Sequence, residues 1–143
     1  MATGQNGFVA QLVTAVNDHD LEALVGLFAA DYVNQTPVHP ARSFTGNQQV
    51  RRNWECIFAA VPDLSAVVTA RAVGEDTVWT EWTMDGTRRD GAEHHLCGVV
   101  IFTVVDGRAT AARFYLEPLD TGDGDVNAAV NALVQPRQGD GRP

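Results

Sequence analysis

The chain has 143 residues, a mass of 15.4 kDa, 45% apolar and 20% charged residues, figures that fit one globular domain and divide poorly into two. Its ten cations are all arginine and face 18 Asp+Glu, so the formal net charge of -8 removes the basic face that nucleic-acid phosphates need and argues against an anionic membrane surface. Apolar runs such as Val99 to Phe102 fall far short of the roughly 20 residues of a bilayer span, and Met1 opens onto Ala-Thr-Gly-Gln-Asn rather than a basic then apolar leader. A cytoplasmic protein is expected. At this length apolar burial suffices for stability, and Cys56 and Cys97, without C-x-x-C spacing, are expected as reduced core thiols.

Phe8, Leu12, Val13 and Val16 recur at helical spacing, and after Asn17-Asp18-His19-Asp20 the series Leu21, Leu24, Val25, Phe28 repeats it. Asp31 to Thr36 looks extended, with Pro37 and Pro40 opening a loop. Thr45 followed by Gln48 has the capping-box pattern, ahead of a third helix carrying Val50, Trp54, Ile57 and Phe58 that Pro62 stops. From Leu64 the period becomes two: Leu64–Val73, Thr77–Met84, His94–Val105 and Arg108–Glu117 predict a four-strand antiparallel meander. Beyond Asp120 a Gly/Asp breaker precedes a short helix over Val126–Val134, and residues 135–143 are too polar to order themselves. The expected organisation is a single domain, 1–143, with an ordered core from about 7 to 120 and a tail over 121–143.

Asp106-Gly107 is a two-residue primed-turn signal that pairs Val105 with Arg108. Counted back without interruption, it sets Val99 opposite Phe114, Ile101 opposite Ala112 and Cys97 opposite Leu116. These six residues form the face predicted to meet the helices. The other face carries Arg113, Tyr115 and Glu117, together with Val100 and Phe102, an unusual apolar area to leave wet and hence the expected homodimer surface. The same count puts His95 on the first face and His94 on the second, unless a bulge in the Gly-rich loop exchanges them.

In this order of elements the chain resembles the nuclear transport factor 2-like superfamily, in its SnoaL-like and ketosteroid isomerase-like branch, over roughly Phe8 to Asp120. The resemblance is carried by Tyr32-Val33-Asn34-Gln35-Thr36-Pro37, by Val78-Trp79-Thr80-Glu81-Trp82-Thr83-Met84, and by Arg113-Phe114-Tyr115-Leu116-Glu117-Pro118. It implies an α+β cone: a curved antiparallel sheet with three helices from the N-terminal half packed on its concave face, around an apolar pocket. It implies no single reaction, since the branch holds isomerases, polyketide cyclases, an epoxide hydrolase, dehydratases and proteins without chemistry. Among these, the limonene epoxide hydrolases are similar in their Tyr-x-Asn water holders, which match Tyr32 and Asn34. Their three charged positions, however, fall at Trp82, Met84 and Phe114, so epoxide hydrolysis is not expected.

With those positions facing inward, the resemblance implies a pocket lined by Trp54, Phe58, Thr80, Trp82, Met84, Val99, Phe114 and Leu116, suited to an apolar small molecule. The plain alternative is that these side chains fill the core. Tyr32 and Asn34 alternate on one strand and so point the same way, offering a hydroxyl and an amide to a ligand oxygen or to the Pro37 loop. His95 is the titratable candidate for proton transfer, with a solvated strand-end histidine as its alternative. Glu117 and Glu81 are the carboxylates closest to the presumed pocket in sequence; Glu117 has an outer-face ion pair as its plain alternative, Glu81 is either buried among tryptophans or, as the resemblance implies, turned outward with Trp79, and His39 decorates the pocket entrance. His94, His95 and Glu93 lack the spaced third ligand of a metal site. The expected function is a cofactor-free isomerase, cyclase or dehydratase using Tyr32, Asn34 and His95. The alternatives are a non-catalytic carrier of an apolar ligand and a domain acting only through its outer surface.

Overall fold

The structure, a computed structural model, describes residues 2–136. The first helix, α1 (Ala2–Asn17), buries Phe8, Val9, Leu12, Ala15 and Val16, the stripe that its spacing dictates. It stops where His19 adopts φ 53, and Asn17 then clasps the sheet, donating to the Ala66 carbonyl (3.0 Å) and accepting from the Ala66 N–H (2.7 Å). Asp20 caps the short α2 (Leu21–Gly26) by accepting from the Ala23 N–H. Phe28, expected as the last apolar residue of that helix, instead opens β1 (Phe28–Gln35), because it pairs with Ala109 across the sheet.

A 3-10 turn at Pro40–Arg42 and the short β2 (Phe44–Thr45) lead into α3 (Asn47–Ala60). The capping box does not form: Thr45 lies in β2 and Gly46, at φ 100, precedes the helix without a side-chain cap. Asn47 reaches the Phe28 carbonyl instead (3.2 Å), tying α3 to β1. The meander follows as β3 (Ser65–Val73), β4 (Thr77–Thr87), β5 (Glu93–Val105) and β6 (Arg108–Pro118). The sheet order is β2-β1-β6-β5-β4-β3. The meander is antiparallel as expected, but β1 joins β6 in parallel, which makes the sheet mixed. The helices of the N-terminal half lie on one face around a core in which Phe8 meets Phe102 and Phe28 edge-on, at 5.0 and 6.3 Å. This is the α+β cone of the expected class.

The last hairpin departs from the uninterrupted count. Val105 pairs with Arg108 and Val104 with Ala109, but Thr103 pairs with Ala111, leaving Thr110 as the extra residue of a bulge. Every earlier pair is thereby shifted by one, so Phe114 lies opposite Val100, Leu116 opposite Gly98 and Tyr115 opposite Val99. Val100 and Phe102, expected outside, are core residues; Val99 and Cys97, expected inside, lie on the outer face with Trp79 and Tyr115. Ile101 shares that outer side yet is shielded there between Trp79 and Arg113. Cys97 and Cys56 are exposed free thiols rather than core residues.

At the C-terminal end, α4 (Val126–Val134) forms over the predicted residues, capped by Asp125 accepting from the Ala128 N–H (3.0 Å). The flexible end expected over residues 137–143 lies outside the described residues. Among the described residues no helix is long and apolar enough to cross a membrane.

Gly98 sits at the narrowest point of the shifted hairpin, at φ 147, where a Cβ would collide with the Tyr115 carbonyl oxygen and lie 2.9 Å from the Leu116 Cα. Both the backbone conformation and the space require glycine. Gly98→Ala is therefore expected to lower unfolding free energy by about 3 kcal/mol or more in chemical denaturation.

Candidate functional site

Alternation along β1 sends Tyr32 and Asn34 to the helix-covered side while Val33 and Gln35 face away, and Thr36 continues the inward row past the strand end. The Tyr32 hydroxyl donates to Asn34 Oδ1 at 2.7 Å, and Asn34 Nδ2 points toward Thr36 Oγ1 at 3.4 Å. Tyr32 is fully buried, and burial alone pushes its hydroxyl pKa well above the ordinary value, so the group stays protonated and acts as a donor. Among the described residues only one of the two Asn34 amide hydrogens is engaged, and weakly, so the row keeps a free donor.

This row borders a cavity of about 390 Å³, a volume suited to a small organic molecule. Its walls are mostly apolar, from Phe28, Phe44, Trp54, Ile57, Met84, Leu96, Phe114 and Leu116. A narrower void of about 20 Å³ continues behind Phe114 and reaches Trp82. The cavity is not closed: Arg42, on the exposed 3-10 turn, lines it and marks an opening to solvent.

Of the residues expected to line the pocket, Trp54, Met84, Phe114 and Leu116 do so, and Trp82 lines the deeper void. Thr80 is buried but lies outside the lining of both voids: its Oγ1 donates to the Val100 carbonyl (2.7 Å) and accepts from Trp82 Nε1 (2.7 Å). Phe58 stacks on the His19 ring, with centroids 4.5 Å apart, and lies outside the cavity lining. Val99 is on the outer face, for the reason given by the Thr110 bulge.

The bulge also exchanges the histidines. His94, opposite Gly86, shares the inner parity of Leu96 and lines the cavity; His95, opposite Asp85, faces outward. Among the described residues the His94 ring makes no hydrogen bond, whereas His95 Nδ1 lies 2.7 Å from Asp85 Oδ1 and Nε2 lies 3.3 Å from Glu93 Oε1. His95 therefore does not meet Tyr32 and Asn34. The outward bulge position is in β6 and not in the Gly-rich loop.

Glu117 is the other residue that parity misplaces. It lies opposite Cys97 on the outer parity, but β1 pairing ends at Gln35–Arg113, leaving the last residues of β6 with a bare edge beside the 36–43 loop. Glu117 lines the cavity there and its Oε1 lies 3.3 Å from His39 Nε2, so His39 does sit at the entrance. Asn53, from α3, completes the polar part of the lining. Among the described residues no group of His, Cys, Asp or Glu is arranged to hold a metal ion.

The α+β cone, with helices on one face of a curved mixed sheet, is the fold of the nuclear transport factor 2-like class. Within that class, the chain belongs to the SnoaL-like domain family, whose model matches residues 9–112. No curated protein matches the sequence. Among solved structures, it is similar to wild-type IdmH of Streptomyces antibioticus, provisionally described as a polyketide cyclase, with 24% identity, a TM-score of 0.68, and 78% of this chain and 91% of that one covered. An LEH-like epoxide hydrolase of M. tuberculosis gives 17% identity and a TM-score of 0.70 over 81% of this chain and 84% of that one. A protein of Kribbella flavida, provisionally described as a ketosteroid isomerase, gives 17% identity and 0.67 over 96% and 91%. At these identities the likeness is one of fold.

The two carboxylates around His95 raise its pKa above the usual 6.5, the Asp85 hydrogen bond being the largest cause and the Glu93 bond the next. A raised folded-state value stabilises the fold fully below about pH 6.5 and loses that contribution as pH climbs through the raised value. His95→Gln should flatten the stability-versus-pH curve in that window, read as Tm by calorimetry across pH 5 to 9, roughly the span in which histidine titrates.

Proposed function

We propose that the chain is a cofactor-free enzyme of the isomerase, cyclase or dehydratase type, acting on a largely apolar small molecule held in the cavity. The observation that carries this reading is the Tyr32–Asn34–Thr36 row: polar groups buried on one wall of a mostly apolar cavity. In such a setting preorganised donors stabilise charge developing on a carbonyl oxygen far more than water would. Tyr32 and Asn34 hold that oxygen as a unit, Asn34 Nδ2 donating to it while the Tyr32 hydroxyl, bonded to Asn34 Oδ1, fixes the amide. His94 takes the role first assigned to His95: its imidazole removes a proton from carbon next to the carbonyl and returns it elsewhere on the same molecule, leaving the protein unchanged. The apolar walls exclude water from the intermediate. The provisional descriptions of IdmH and the Kribbella protein agree with this type of chemistry.

A second reading, a non-catalytic carrier of an apolar molecule, is favoured by one specific observation. The inner positions Trp82, Met84 and Phe114 hold no charge, so no carboxylate stands at the centre of the cavity. The two separate by experiment. Incubation with a panel of carbonyl-bearing polycyclic and terpenoid compounds should give rearranged or dehydrated product by mass spectrometry, with kcat falling about 100-fold in Tyr32→Phe and at least as far in His94→Ala. Recovery of only unaltered compound that remains bound would support the carrier.

We also propose that two copies associate through the outer sheet face in the cytoplasm. Trp79 is 50% exposed, Val67 57% and Tyr115 38%, an apolar stretch that water wets at a cost. This is the expected dimer surface with its composition corrected by the bulge. Sedimentation at micromolar concentration should give a dimer mass, and Trp79→Arg a monomer.

A further inference from the structure

Among the described residues, Arg42 carries the one full positive charge in the cavity lining, while the lining's carboxylate, Glu117, is turned to His39. Among the described residues no carboxylate lies within ion-pair reach of Arg42, although the protein carries a net charge of -8. The guanidinium is not on a loose strand of chain. Its turn is closed by the Arg42 N–H donating to the His39 carbonyl (2.9 Å) and the Ser43 N–H to the Pro40 carbonyl (3.1 Å). Ser43 Oγ then accepts from the Thr36 N–H (3.1 Å), anchoring the turn to the end of the polar row. Proline at the start of the turn restricts it further.

A cation carried on an anchored turn beside an apolar cavity, with no ion-pair partner among the described residues, attracts a guest that supplies one. We propose that the ligand is an amphipathic acid, an apolar body lying in the cavity with an anionic oxygen group at its outer end, received by Arg42. Guanidinium suits carboxylate or sulfonate oxygens because its planar N–H donors can engage two of them at once. Asn53 adds a neutral polar group to the same lining, and Tyr32, His94 and Glu117, the last turned to His39, are the other titratable groups facing it. Glu117 opposes an anionic guest, so the net preference rests on Arg42. The negative charge of the rest of the protein repels acids in general, which makes a local cation the device that admits them. The assignment rests on the cavity being the ligand site, and it adds the chemical class of the ligand.

Fluorescence titration with the anionic dye anilinonaphthalene sulfonate and its neutral counterpart phenylnaphthylamine tests it, since the two share an aromatic body and differ in the sulfonate. The quantity read is the ratio of their affinities. Arg42→Met should lower the anionic-to-neutral ratio about fivefold, the scale of one partly exposed ion pair, and Glu117→Gln should raise it. Arg52→Met, which removes the same charge from the exposed surface of α3, should leave the ratio as in the wild type. An unaltered ratio in Arg42→Met, or an equal fall in Arg52→Met, overturns the inference while neutral-probe binding preserves the cavity reading. Binding of neither probe to the wild type overturns both.

Discussion

The extra residue at Thr110 governs which side of the sheet every earlier β5 residue occupies. Because strand side chains alternate, a shift of one exchanges whole faces. Without it Phe102 and Val100 would look outward, the Phe8–Phe102 contact that seats α1 would be lost, and Val99 and Cys97 would replace them in the core. With it, Leu96, Gly98, Val100 and Phe102 line up against Phe114, Leu116 and the inner residues of β4. The irregularity in β1 between Phe28 and Val33 falls beside the same stretch of β6, so the bend is shared by both neighbours of that strand.

Polar groups inside this wall divide into two sets with different duties. Trp82 Nε1, Thr80 Oγ1 and the Val100 carbonyl form a closed chain of bonds beneath the cavity, leaving no donor to spare. Among the described residues no buried side-chain nitrogen or oxygen lacks a partner, as the cost of an unpaired polar group in a low-dielectric interior demands. The Tyr32–Asn34–Thr36 row differs in being satisfied loosely: its last bond is 3.4 Å long and borders empty space. That difference, rather than burial as such, separates a structural polar chain from one able to exchange its partners for a guest.

Much of this was legible in the sequence, and the limits have physical causes. Strand periodicity located all four meander strands to within a few residues, and alternation alone put Tyr32 and Asn34 on one side. The family resemblance supplied the cone, which periodicity does not encode. The bulge was invisible because Ala109, Thr110, Ala111 and Ala112 are small and carry no apolar alternation, so a slip among them leaves no trace in the pattern. From that one cause followed the exchange of His94 with His95 and the misplacement of Val99, Cys97, Val100 and Phe102. Glu117 escaped for another reason: it reaches around a bare strand edge, and edges are a property of pairing, not of a strand's own residues. Thr45–Gln48 looked like a cap, but β2 pairing claimed Thr45 first.

The polar row stands on a side wall, strung along β1, while the deep end near Trp82 is hydrocarbon. On the proposed function, a guest is gripped along its flank and left ungripped at its buried tip. The recess near Trp82, about 20 Å³, admits only a small change at that tip. Under that reading the layout fixes regiochemistry through the side wall and not through the buried end.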